Sequence, residues 1–148
     1  VANGGNELLV KAEWLGKRQF RAKGASGFDV IMDASVANGG ESSGNRPMEL
    51  VLMSVIGCMG MGVAGVLDKM RKPPKALEIE VEGTRSAEHP KRLTEIKLTF
   101  RVQGDMAPER LWRAVQLELE KYCPVVASLN AAVIPHIVLN GTSVTPNR

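Results

Sequence analysis

The residues best suited to chemistry in this 148-residue chain are its two cysteines, Cys58 and Cys123. Two thiols that meet in space can form a peroxide-reducing pair. One thiolate attacks the O–O bond and becomes a sulfenic acid; the second thiol condenses with it to a disulfide, which an external reductant reopens. That chemistry requires positive charge to hold the thiolate, apolar surroundings for an organic substrate, and two Cα atoms within ~7 Å. The opposing expectation is that both are small buried hydrophobes, because free cysteine is among the most buried residue types. Cys58, Cys123, His89 and His136 show no CxxC or HxxxH spacing, so no metal site is expected. Two cysteines in a chain of this size do not make a disulfide scaffold either. His89, in a charged turn, and His136, after Pro135, are expected to serve the surface or packing rather than chemistry.

The elements that must position the thiols can be read from the pattern around them. Cys58 lies within residues 46–72, RPMELVLMSVIGCMGMGVAGVLDKMRK, which carry no charge between Glu49 and Asp68. Pro47 suits a first helical position. Glu49 at the start and Lys69, Arg71 and Lys72 at the end match the helix dipole, and Pro73-Pro74 stops the element. The expectation is one long helix, apolar on every side and therefore buried. Its uncharged run, 50–67, just reaches the ~18 residues of a membrane-span candidate. Gly57, Gly60, Gly62 and Gly65, together with amphipathic flanking segments, favour a core helix over a membrane span. Ser54, Cys58 and Gly62 form a strip of small residues at i, i+4 and i+8. A neighbouring helix packed there would explain the strip, and so would a pocket that leaves the Cys58 sulfur accessible. Cys123 closes a second helix, expected over 107–122. There Leu111, Trp112, Val115, Leu119 and Tyr122 lie at helical spacing, and the apolar run 125–129 follows as another turn or two.

Strands are expected on both sides of the long helix. Leu8, Val10, Ala12 and Trp14 alternate with Leu9, Lys11 and Glu13, and further strands at 18–23 and 28–33 complete an antiparallel meander. Residues 37–45, ANGGESSGN, form a polar, glycine-rich loop leading into the helix. After Pro74 the period returns to two. Leu77, Ile79 and Val81 alternate with Glu78, Glu80 and Glu82, and Ile96, Leu98, Phe100 and Val102 with Lys97, Thr99 and Arg101. Across such a hairpin the glutamates would face Lys97 and Arg101 favourably. Residues 134–144 supply a last strand and tail. The order βββ-α-ββ-α-β, with few parallel crossovers, argues an α+β fold of antiparallel sheet and helices, in a single domain spanning 1–148.

Composition excludes some functions. Charged residues make up 24% and apolar ones 44%, ordinary for a soluble globular chain. The net charge of +3 comes from scattered basic residues interleaved with acids, and only 4% of residues are aromatic, so no nucleic-acid partner is expected. No signal-type segment is evident, and the cytosol is the expected compartment.

The combination of RPMELVLMSVIGCMG, a helix ending LDKMRKPP, the EIEVEG and EIKLTF strands and a second helix ending EKYCPVVASL resembles the OsmC/Ohr family of thiol-dependent hydroperoxide reductases. The resemblance runs from about residue 10 to residue 144, and SGFDVIMDAS and PMELVLM point to the YhfA-type branch. It implies an OsmC-like fold, with antiparallel sheets packed around a long central helix, in an intertwined homodimer with active sites at the subunit interface. It implies Cys58 as the peroxidatic residue and Cys123 as the resolving one. No metal or prosthetic group is implied, and a dithiol, often lipoyl-type, recycles the enzyme. An intertwined dimer would also cover the apolar helix.

Two departures from the family pattern stand out. The family glutamate at the helix start meets Met48 here, with Glu49 one residue later. At ~100° per residue, position 48 lies ~80° around from Cys58 and position 49 ~180° around. Glu49 would therefore point away from Cys58 unless the helix start is irregular or Glu49 serves a partner's site. Its alternative role is an acid at a helix N-terminus. The family arginine that pairs with the thiolate is matched to Arg21, with Arg18 and Arg46 as alternatives. The expected function is reduction of organic hydroperoxides, Met48, Met53, Met59 and Met61 supplying greasy surroundings. The alternative is a non-catalytic dimeric binding or stress protein in which the cysteines only pack.

Overall fold

The computed structural model describes residues 6–146. The chain divides into two compact units, one up to Val51 and one from Leu52 onward.

In the first unit, β1 (Val10–Gly16), β2 (Gln19–Gly24) and β3 (Asp29–Met32) pair as an antiparallel meander in that order. The β1–β2 register sets Trp14 opposite Phe20 and Ala12 opposite Ala22, and β3 adds Met32 and Val30 beside them. Strand alternation therefore gathers Val10, Ala12, Trp14, Phe20, Ala22, Val30 and Met32 on one face. Lys11, Glu13, Arg21, Lys23 and Asp29 fall on the other.

The glycine-rich loop after β3 is held by Asp33, which is almost fully buried. Its carboxylate accepts hydrogen bonds from the backbone N–H groups of Ala34, Glu41 and Ser43 and from the Ser43 hydroxyl. Gly40 and Gly44 leave no room for a side chain, because a Cβ at either would collide with backbone of Ala34 or Ile31. The bonds to the ionised form, that from the Ser43 hydroxyl foremost, hold the Asp33 carboxyl at about 2. Its folded pKa lies below the unfolded value of ~3.9, so its contribution to stability is complete above that value and is lost as pH falls towards 2. Thermal melts of the wild type are expected to drop between about pH 5 and pH 2. An Asp33→Asn variant, less stable at neutral pH, should lose that part of the slope.

In the second unit, β4 (Ala76–Arg85), β5 (Leu93–Gln103), β6 (Ala132–Leu139) and β7 (Thr142–Val144) form one sheet in sequence order. Glu78 faces Arg101 and Glu82 faces Lys97 as the alternation requires, while the ion pair closes diagonally from Arg101 to Glu80 at 3.0 Å. The few parallel crossovers expected come to one among the described strands, at β5–β6. Parallel neighbours need a crossover, and the helical segment between Gln103 and Ala132 supplies it. The expected single last strand is a hairpin instead. Asn140 and Gly141 turn it with positive φ angles of 49° and 83°, the backbone that a two-residue Asn-Gly hairpin turn requires.

The long helix, α1 (Pro47–Lys69), begins within a residue of the expected start. It buries Val55, Met59, Val63 and Leu67, one stripe at four-residue spacing. Glycine permits close approach to the sheet: a Cβ at Gly60 would stand 2.8 Å from Ile79 Cδ1, and one at Gly83 3.1 Å from Leu52. The expectation of burial on every side is not met within one chain. By length and composition α1 could cross a membrane, yet only 22% of its most apolar stretch is buried, and Met53 and Met61 are exposed.

The crossover is not the single helix expected over 107–122. α2 (Pro108–Leu117) buries Leu111, Ala114 and Val115, then gives way to a π-helical turn over Glu118–Tyr122, and α3 (Pro124–Ala127) follows.

Candidate active site

Cys58 sits mid-way along α1, half-buried, beside the buried stripe. Cys123 follows the π-helical turn, buried, and caps the N-terminus of α3. Its extended backbone ends one helical segment, and Pro124 opens the next without an unpaired N–H. The two sulfurs, 65 residues apart in sequence, are 3.0 Å from one another, the Cys123 thiol donating to Cys58 Sγ. Both are free thiols. The gap is wider than the ~2.05 Å of a disulfide bond, and closing it takes about 1 Å of movement.

Burial pushes the Cys123 thiol pKa up, and its bond to Cys58 adds to the rise; the Val126 N–H, 3.4 Å from Cys123 Sγ, works weakly against both. Cys123 is therefore a neutral thiol near neutral pH. Among the described residues of the second unit, no lysine or arginine pairs with either sulfur.

The remaining candidates are placed as follows. Arg21, on the polar face of the first unit's sheet, makes an ion pair with Glu13, its Nε donating to Glu13 Oε1 at 2.9 Å. Arg18 lies against Gly39. Arg46 donates to the Gly44 carbonyl at 2.8 Å and to Ser42 Oγ at 3.0 Å. Glu49 is exposed in the first turn of α1. That helix is regular from Pro47, so an irregular start does not bring Glu49 round, and it stays ~180° from Cys58. The four methionines do not share one setting: Met59 is fully buried in the stripe, whereas Met53 and Met61 are exposed. His89 and His136 are exposed.

The spacing over 107–122 sets Glu118, with Glu109, Arg113 and Lys121, between the apolar positions on the polar side of the helix; near the thiols the structure corrects this. Glu118 is buried, and its carboxylate occupies the space that a side chain at Gly62 would fill. The signal for it was in the sequence: Glu118 follows Leu111 by seven residues, within ~20° of it on an α-helix, and so breaks the apolar face.

The sequence profile of a family described as OsmC-like protein matches residues 39–137. The chain belongs to the OsmC-like family. Protein YhfA of Escherichia coli K12 is 36% identical over 127 residues, which cover 85% of this chain and 92% of YhfA. A hypothetical protein from Aquifex aeolicus is 30% identical, with a TM-score of 0.76 over 92% of this chain and 99% of its own. An organic hydroperoxide resistance protein from Elizabethkingia anophelis shares the fold at 14% identity, with a TM-score of 0.70 over 90% of this chain and 96% of its own. Within this OsmC-like chain, both cysteine positions that carried the resemblance belong to one compact unit.

Proposed function

We propose that this OsmC-like protein is a thiol-dependent peroxidase that reduces organic hydroperoxides, with Cys58 attacking and Cys123 resolving. The 3.0 Å contact between the two sulfurs is the observation that carries the reading. Burial differs in the direction the roles need. Cys58 is the more accessible sulfur, and Cys123 is kept as a thiol until a sulfenic acid forms beside it. The name of the Elizabethkingia protein supports the same substrate class.

In this reading the Arg21 guanidinium of a second copy supports the Cys58 thiolate, and Glu49 orients it there. The exposed Glu13–Arg21 pair is of the kind worth little in water and easily exchanged. The working form is a homodimer in the cytosol. The exposed apolar residues Trp14 and Phe20 on the sheet face and Met53 and Met61 on α1 are surface that a second copy covers. A dithiol, often lipoyl-type, reopens the disulfide, and the cycle draws on no metal or prosthetic group.

The test is to reduce the protein, add one equivalent of cumene hydroperoxide and count free thiols. Loss of both thiols within seconds, with one disulfide formed, is the expected result. Thiols that persist for minutes would leave the second reading, a dimeric binding or stress protein with packing cysteines. One observation favours that alternative: the Arg21 guanidinium is already paired with Glu13.

A further inference from the structure

We propose that Glu118 is the proton acceptor for the Cys123 thiol when the Cys58–Cys123 disulfide closes; the inference rests on the peroxidase reading above and adds a residue to it. Two acids are buried among the described residues, Asp33 and Glu118. Asp33 is satisfied by four hydrogen bonds. The Glu118 carboxylate accepts none from the described residues, yet it is directed onto α1 at Gly62. Its place beside a dithiol gives it a use.

The backbone is shaped to put it there. On an uninterrupted α-helix, residues 118 and 123 would lie ~140° apart. The Cys123 N–H instead donates to the Glu118 carbonyl at 2.8 Å, five residues back, which widens the turn and swings the two residues towards one face. That face meets α1, where Cys58 and Gly62 are one turn apart: Cys123 touches Cys58, and Glu118 covers Gly62. Side chains at i and i+4 of a helix are ~5–6 Å apart at Cβ. A carboxylate standing at position 62 is thus one turn from Cys58, a span that a single water bridges to the sulfurs.

The closing step needs such a group. The Cys123 sulfur attacks the sulfenic sulfur of Cys58; an S–S bond forms, the S–O bond breaks, and the Cys123 proton must reach the departing hydroxide to make water. The sulfenic sulfur is reduced and the Cys123 sulfur oxidised, with no further reagent. Because burial keeps Cys123 protonated, an adjacent base accelerates the step, and the carboxylic acid then returns the proton to the hydroxide. The absence of a side chain at Gly62 is what makes room for that base.

The experiment separates the two steps. In Glu118→Gln, an isosteric change, the first reaction with cumene hydroperoxide should keep its rate, while disulfide closure slows about 100-fold. A Cys58 sulfenic acid should then accumulate and be trapped by a 1,3-dione. The same slowing is expected when closure starts from a Cys58 mixed disulfide with glutathione, which needs the same deprotonation and no peroxide. Moving the carboxylate to the other helix, in Glu118→Ala/Gly62→Asp, should restore closure to within about tenfold of wild type. Closure by Glu118→Gln at the wild-type rate from both starting states would overturn the inference. So would a folded double variant as slow as Glu118→Gln, since Glu118 would then act by shape rather than charge. A wild type inert to peroxide but with Glu118-dependent closure of the mixed disulfide would overturn the peroxidase reading and uphold the role of Glu118.

Discussion

A Cys58→Ser variant is expected to lose peroxide reduction by a factor on the order of 10³ or more, the scale on which removal of a nucleophile is felt. A serine hydroxyl is not a thiolate, and the reaction begins with a thiolate on the O–O bond. The remaining sulfur cannot take over. Cys123 is buried, its thiol pKa is raised by that burial, and a raised pKa leaves less thiolate at neutral pH than the few per cent of an ordinary cysteine. The substitution should leave the fold intact, because Cys58 is half-buried beside the Val55–Met59 stripe rather than within it. An unchanged melting temperature with no thiol loss on adding cumene hydroperoxide is the expected pair of results. A variant that still consumed peroxide would show that the chemistry lies elsewhere in the chain.

Local pattern carried the site further than it carried the fold around it. Cys58 on an uncharged helix and Cys123 at the end of an amphipathic one were visible because charge, proline and period-four spacing are local signals. The 3.0 Å meeting of the sulfurs is not local; it follows from the parallel β5–β6 pairing, which folds the crossover back over the sheet against α1. Strand partnership of that kind depends on distant segments, and no residue in β6 announces it. The π-helical turn was hidden for a different reason. A single extra residue per turn leaves the apolar spacing of Leu111, Val115 and Leu119 intact, so the sequence still reads as plain helix. The role of Asp33 was hidden at the end of a stretch that reads as strand, 28–33, although a carboxylate ahead of a glycine- and serine-rich loop is a common way to collect backbone N–H groups. The long helix misled in the opposite sense. Composition alone implies burial on all sides, but burial is a property of what packs around a helix, and one chain covers a single stripe.

Cys123→Ser is expected to separate the first turnover from the rest. Its first equivalent of hydroperoxide should be consumed at close to the wild-type rate, because Cys58, the attacking sulfur, is untouched. What is lost is the neighbour that quenches the sulfenic acid. A thiol held 3.0 Å away has an effective concentration on the order of 10⁵ M or more when well oriented, which no millimolar reductant in solution approaches. In the wild type the sulfenic acid therefore closes to a disulfide before a second peroxide arrives. In the variant it waits, and a second oxidation takes Cys58 to the sulfinic acid, which a dithiol does not reverse. Mass spectrometry after several equivalents should find two added oxygen atoms on Cys58, with turnover falling in proportion. The wild type under the same treatment should show only the loss of two hydrogens. Sustained cycling by Cys123→Ser with an unmodified Cys58 would mean that an external thiol resolves the sulfenic acid directly, and that the contact between the two sulfurs serves packing alone.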